Sequence, residues 1–200
     1  MSYATLAEFK AYLKIPTATT GEDALLQTFL DEASGILDEV IGRPSAASAD
    51  ATRAYDAEAD VEGARLMFGR ADVACAITAV VNGDGATIPP AAYVTEPRNE
   101  RPYWGLTLKA NSGYEWRAAA SGPEGAISVT AKWAYTTNAD GSADRVISGA
   151  TLQLAAWLYR SKDQVTELSR PVKTADGVTI LPLALPKSVL DRVMSRRSLI

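Results

Sequence analysis

Between Glu22 and Gly42 the apolar residues Leu25, Leu26, Phe29, Leu30, Ala33, Ile36, Leu37, Val40 and Ile41 recur at the period of an α-helix and form one unbroken stripe. A stripe of that length has to be covered by other elements, so the chain is committed to a helical layer before anything else is read. Gly42 stands where a left-handed C′ residue belongs, and Pro44 prevents continuation. Upstream, Thr5 and Glu8 fit a capping box for a short helix carrying Leu6, Phe9, Ala11 and Leu13, which Pro16 ends. The helical period returns from Ser142 to about residue 166, with Val146, Ile147, Ala150, Leu154, Ala155, Trp157 and Leu158. Its wide apolar surface, Trp157 and Tyr159 included, predicts a helix packed on more than one side and resting on the 22–42 helix.

The segment between these helices has a different character. "TRAYDA", "ARLMFG", "CAITAVVNGDG", "AYVTEP", "GLTLKA" and "AISVTAKWAY" are short strand candidates separated by Gly, Pro, Asn and Asp, and "NGDG" signals a hairpin turn. An antiparallel sheet follows. Beyond residue 166, "RPVKTADGVTILPLALP" reads as a hairpin turning on Asp176-Gly177, and "PKSVLDRVMSRR" reads as a closing helix. The expected class is α+β: a small antiparallel helical bundle, a β-rich insertion between its second and third long helical elements, and a C-terminal hairpin-helix arm.

Composition narrows the chemistry. The chain has 200 residues, 47% of them hydrophobic, which suits one domain with an insertion and an arm. It contains no histidine, which removes the commonest general base and zinc ligand and every Ser-His or Cys-His pair. No G-x-S-x-G elbow, Walker A loop or G-x-G-x-x-G motif occurs. The lone Cys75 lies in an apolar run and reads as a buried thiol. Asn138, Asp140, Ser142 and Asp144 alternate as in a calcium loop but lack its glycine and its terminal Glu, so Asp140 or Ser142 is expected instead to cap the next helix. Glu22, Asp23, Asp31, Glu32, Asp38 and Glu39 could supply acid-base pairs to a histidine-free enzyme; a solvated helix face is the simpler reading. Trp104, Trp116, Trp133 and Trp157 lack interleaved cations, which favours core or subunit packing over stacking on sugars or bases. A net charge of −4 gives no basic field to grip nucleic acid, and no apolar run reaches membrane-spanning length. No cofactor, metal or membrane is expected.

The order of elements carries a resemblance. "TLAEFKAYLKIP", then "EDALLQTFLDEASGILDEVIGRP", a strand opening "TRAYD", a β-rich middle, "ISVTAKWAYT" and a helix with "LQLAAWLYRSKDQ" resemble the tailed-bacteriophage head-tail connector family, the adaptors beneath the portal ring. The match covers residues 5–56 and 126–166, and "LPKSVLDRVMSRR" resembles the family's ending; residues 57–125 correspond only as an insertion. The resemblance implies a non-enzymatic virion protein, assembled in the bacterial cytoplasm, forming a ring of twelvefold type. Its implied partners are identical subunits, the portal protein, a stopper or tail protein, and double-stranded DNA passing through the lumen without specific binding. A stopper or tail-completion protein is the alternative within the neck. The implied division is an adaptor core of residues 1–56 and 126–170, the insertion 57–125, and a docking arm 171–200. In that arm Val189, Leu190, Val193 and Met194 form an apolar stripe beside the basic Arg192, Arg196 and Arg197, expected to meet the portal; the other reading is a terminal helix folded back on its own domain.

Overall fold

The computed structural model describes residues 2–69, 72–162, 172–173, 179–180 and 186–194, the two short strands by their backbone alone. The class is α+β, with the β-rich segment inserted between the second and third helices. The described residues fall into two compact units, one of residues 2–41 and 145–194 and one of residues 42–144.

Among the described residues the first unit has four helices: α1 (Leu6–Leu13), α2 (Asp23–Ile41), α3 (Arg145–Ser161) and α4 (Lys187–Met194). The capping box forms as expected: Glu8 N donates to Thr5 Oγ1 at 3.2 Å, and Thr5 N donates to Glu8 Oε2 at 2.7 Å. Those bonds favour the Glu8 carboxylate and hold its pKa below the ordinary value, the Thr5 amide most strongly. Along α2, Leu26, Leu30, Ala33, Leu37 and Ile41 are buried, and Gly42 ends the helix at φ +81°. Ile147, Ala150, Thr151, Leu154 and Ala155 of α3 complete this core, and α2 packs on α3 with Phe29 edge-on to Tyr159 at 6.1 Å. Lys10 is buried as well, its ammonium 2.6 Å from Asp23 Oδ1 and 3.1 Å from the Thr17 carbonyl. A buried ammonium without such partners would be strongly destabilising, so this pair fixes α1 against the start of α2.

The second unit contains two antiparallel sheets. One has the order β1 (Ala51–Tyr55), β7 (Ile127–Trp133), β4 (Ala74–Val81); the other has the order β2 (Val61–Glu62), β3 (Arg65–Met67), β6 (Gly105–Leu108), β5 (Tyr93–Glu96). Strand β7 alternates strictly: Ile127, Val129, Ala131 and Trp133 are buried while Ser128, Thr130 and Lys132 are less so. Tyr55, Phe68 and Trp133 meet in the core with ring centroids 5.1–6.1 Å apart. The segments carrying β1 and β7, grouped with the helical core by their resemblance, are here the edge and centre of one sheet. Their long pairings to each other and to β4 draw them into the β unit.

Two local expectations change. "NGDG" does turn, with Gly85 at φ +82°, but the returning chain makes only the bridge Val81–Thr87 and then leaves β4. Asn82 anchors the crossing instead, donating through Nδ2 to the Glu115 carbonyl at 2.7 Å and accepting at Oδ1 from Arg117 N at 3.0 Å. Asp140 and Ser142 do not cap α3. Asp140 Oδ1 accepts from the Ser142 amide at 2.9 Å in a preceding turn, and the residue before Arg145 is the buried Asp144. In the C-terminal arm, β8 (Val172–Lys173) pairs with β9 (Thr179–Ile180); the expected turn at Asp176-Gly177 lies outside the described residues.

Gly105 pairs with Met67, and a Cβ there would stand 2.6 Å from the Leu66 carbonyl oxygen, a backbone atom that cannot step aside. Gly105→Ala is expected to lower unfolding free energy by about 1–3 kcal/mol in urea denaturation. Gly35, exposed within α2 with open space at its Cβ, gives the opposite sign: Gly35→Ala is expected to stabilise by about 0.5–1 kcal/mol.

Candidate functional site

The clustered carboxylates have structural occupations. Asp23 pairs with Lys10, and Asp38 accepts from the Tyr3 hydroxyl; Asp31, Glu32 and Glu39 are exposed along α2. Glu22 accepts from Tyr159 Oη at 2.7 Å with Lys162 Nζ at 3.6 Å, and its pKa is lowered first by that phenol and then by the ammonium. The phenol is pushed up in return by the carboxylate it serves. Among the described residues no three His, Cys, Asp or Glu side chains gather to hold a metal, and no helix is long and apolar enough to cross a membrane. Cys75 is buried with its thiol 3.4 Å from the Lys132 carbonyl, and burial raises its pKa.

The C-terminal helix is half committed. Val189 and Val193 are buried, and α4 packs on α3 and α2 of its own unit. Leu190 is half-buried, Arg192 is exposed, and Met194 is 48% exposed. The stripe drawn from the sequence is therefore split: one side of α4 is consumed by the helical core, Leu190 and Met194 share the flank beside it, and Arg192 lies on the opposite flank with its guanidinium near Gly149 of α3. Arg196 and Arg197 lie outside the described residues.

A second surface belongs to the β unit. Alternation in "RLMF" buries Leu66 and Phe68 and turns Met67 outward, while Trp104, just before β6, receives the Phe68 amide on its carbonyl at 2.9 Å. Met67 and Trp104 are 44% and 40% exposed, and with Val61, Pro97, Pro102 and Phe68 they line a groove of about 770 Å³. Charged groups stand among them: Asp60, Glu62, Asp72 and Glu100, against Arg43, which stacks on Tyr135 at 4.4 Å, and Arg101. No α2 carboxylate lines it. Apolar anchors among mixed charges suit protein contact. Of the aromatic residues in the β-rich segment, Tyr93 is in the core, Tyr103, Tyr114 and Trp116 pack against it, and Trp104 stays exposed. Sequence reading named Trp104 but not Met67, because the two meet only through the pairing of β3 with β6.

No family model matches the sequence, and no curated protein matches it. Solved structures do. A chain in the neck of an empty gene transfer agent (GTA) particle computed with C6 symmetry aligns over 99% of this chain and 91% of its own, at TM-score 0.57 and 16% identity. A chain in the virion of the native particle gives 0.54 at 17% identity over 99% and 91%. A chain in the native neck computed with C12 symmetry gives 0.52 at 15% over 98% and 88%. The fold is one found in GTA particles. At these identities the likeness speaks for the fold, and it extends over nearly the whole chain, the β-rich segment included.

Because Val193 is fully buried, Val193→Ala is expected to cost about 1–3 kcal/mol of stability, whereas Met194→Ala should change it by less than about 0.5 kcal/mol, both by thermal or urea unfolding. Tyr159→Phe keeps the ring against Phe29 and removes the donor to Glu22. The Glu22 titration followed by NMR should then move up toward the ordinary carboxylate value. Since a depressed carboxylate stabilises above its unfolded pKa and loses that contribution as pH falls through the folded one, the variant should lose its Glu22 contribution at a higher pH than the parent.

Proposed function

We propose that this chain is a structural neck protein of a tailed-phage-like particle, an adaptor that forms a ring beneath the portal and joins head to tail. The observation that carries the reading is the whole-length fold likeness to chains of GTA particles, two of them from necks. The symmetries of those necks, sixfold and twelvefold, support a ring, and the order of elements in the sequence independently resembles head-tail connectors. The ring would be of twelvefold type, with one subunit's surface meeting a different surface of the next, a heterologous contact that closes. Its lumen would pass double-stranded DNA, and a net charge of −4 disfavours adhesion to it. In this reading the protein performs no catalysis; it works by what it touches.

The exposed part of α4, with Leu190, Met194 and Arg192 on its two flanks, is the proposed portal contact, to which the sequence adds the basic Arg196 and Arg197, and the Met67–Trp104 groove is a candidate for the stopper or tail protein. A heterologous ring contact completed by the portal implies a protein that is monomeric or weakly associated alone. Light scattering should show the small species by itself and a closed ring when the purified portal of its own particle is added. A stable closed dimer in both samples would reject the adaptor assignment.

A further inference from the structure

The charges of the segment that joins β5 to β6 are sorted by sign. In "EPRNER", residues 96–101, Glu96 Oε1 accepts from Thr107 Oγ1 at 3.0 Å and Glu100 lines the Met67–Trp104 groove, while Arg98 and Arg101 line a separate cleft of about 490 Å³. Asn99, Thr95, Tyr93 and Tyr103 stand there with the two guanidinium groups. Each of these side chains can donate a hydrogen bond, and no carboxylate lines the cleft. Arg101 is fixed in place: its Nε donates to the Cys75 carbonyl at 2.8 Å, its guanidinium stands over the Tyr103 ring at 5.6 Å, and Tyr103 is tied to Ala74 by two backbone bonds of 2.7 and 2.8 Å. Its terminal nitrogens, and the whole of the exposed Arg98, have no hydrogen bond or ion pair among the described residues. A guanidinium held ready with unused donors suits an oxyanion, which it can take on two parallel bonds.

The helical unit of the same chain has the opposite excess. Helix α2 carries Asp23, Asp31, Glu32, Asp38 and Glu39 and no Lys or Arg. Asp23 and Asp38 have the partners described above, and Asp31 accepts from Gln27 Nε2 at 3.3 Å. Glu32 and Glu39 are exposed and have neither hydrogen bond nor ion pair among the described residues. Glu39 also stands in the last turn, where the helix dipole is negative and no basic side chain answers it, so its charge is disfavoured until a cation arrives from elsewhere. Seven residues separate the two glutamates, which places them about two turns apart on one face, and the exposed Gly35 leaves the helix surface between them bare.

We propose that in the assembled ring Glu32 and Glu39 of α2 in one copy enter the Arg98–Arg101 cleft of the next copy. This rests on the ring reading above and names a contact between its subunits. The occupant is a second copy because the charge complement of the cleft is present in the same chain, and because one surface of the β unit meeting a different surface of the helical unit is the asymmetric pair that a head-to-tail ring repeats. Exposed ion pairs contribute little singly, so these set the orientation of neighbouring copies and exclude wrong ones rather than supply most of the affinity.

Arg98→Lys keeps the charge and puts into the cleft an amine that a water-soluble carbodiimide can join to a carboxylate in contact with it. Purified necks carrying this variant should yield, after coupling and digestion, a peptide joining position 98 to Glu32 or Glu39 that is absent from dispersed subunits. Arg98→Glu is expected to leave thermal unfolding of the isolated chain unchanged, since the side chain is exposed and unpaired, and to lower the yield of the chain in necks by about tenfold or more by setting like charges face to face. The inference is overturned, while the neck reading stands, if necks contain the chain but position 98 couples to the portal, to another neck protein, to the same carboxylates in dispersed subunits, or to none, as when a DNA phosphate fills the cleft. It is overturned equally if Arg98→Glu enters necks as the parent does. If the parent chain is missing from purified necks, both are overturned.

Discussion

The β unit depends on the pairing of β7 with two strands far from it in sequence. Ile127, Val129, Ala131 and Trp133 are buried, and the strand's two edges are filled by β1 and by β4. Each pairing closes a long loop, whose entropy has to be offset by what the closure buries. The aromatic meeting of Tyr55, Phe68 and Trp133 supplies that burial, joining a residue from β1, one beside β3 and one from β7. Arg53 stacks on the Trp133 ring at 4.5 Å while pairing with Asp72, so the edge of this core is closed by a cation that is itself neutralised. Burial raises the pKa of the Tyr55 phenol, and Asp72 adds to it, so the ring stays neutral at the heart of the unit.

What could be read from the sequence was what is local. The Thr5–Glu8 box, the α2 stripe and its stop at Gly42 each depend on residues within a turn or two of one another, and each formed where its pattern placed it. Strand segments were legible for the same reason, from alternation and β-branching in "TRAYDA" and "AISVTAKWAY". Pairing was not. Nothing in "NGDG" reveals that the chain leaves β4 after one bridge, because that outcome is decided by Asn82 reaching to residues 115–117. The split of the α4 stripe was likewise hidden: spacing groups Val189 with Leu190, but only the packing of α4 on α2 and α3 decides which is consumed. Met67 and Trp104 became neighbours on a groove through a strand register that no short window contains.

For function, the instructive feature is how many of the described charged residues are engaged in structure, Glu8 in the α1 cap and Glu22 with Tyr159 among the exposed ones. Lys10, Asp23 and Arg53 are paired; Asp31, Glu32 and Glu39 are exposed. Large apolar side chains are exposed on α4 at Met194 and on the groove at Met67 and Trp104, as are Tyr12, Leu25 and Val146 on the other helices. Exposed apolar surface is what the proposed assembly role would draw on, and the fold is shared with chains of GTA particles.

The most direct measurement of the ring account is an electron cryomicroscopy map of the head-tail junction in the particle that carries this chain. The account predicts copies of this fold repeated about the channel axis in one ring, contacting the portal on one side and the next neck component on the other. A map in which this fold is absent from the junction, or present there without a closed ring, would contradict it.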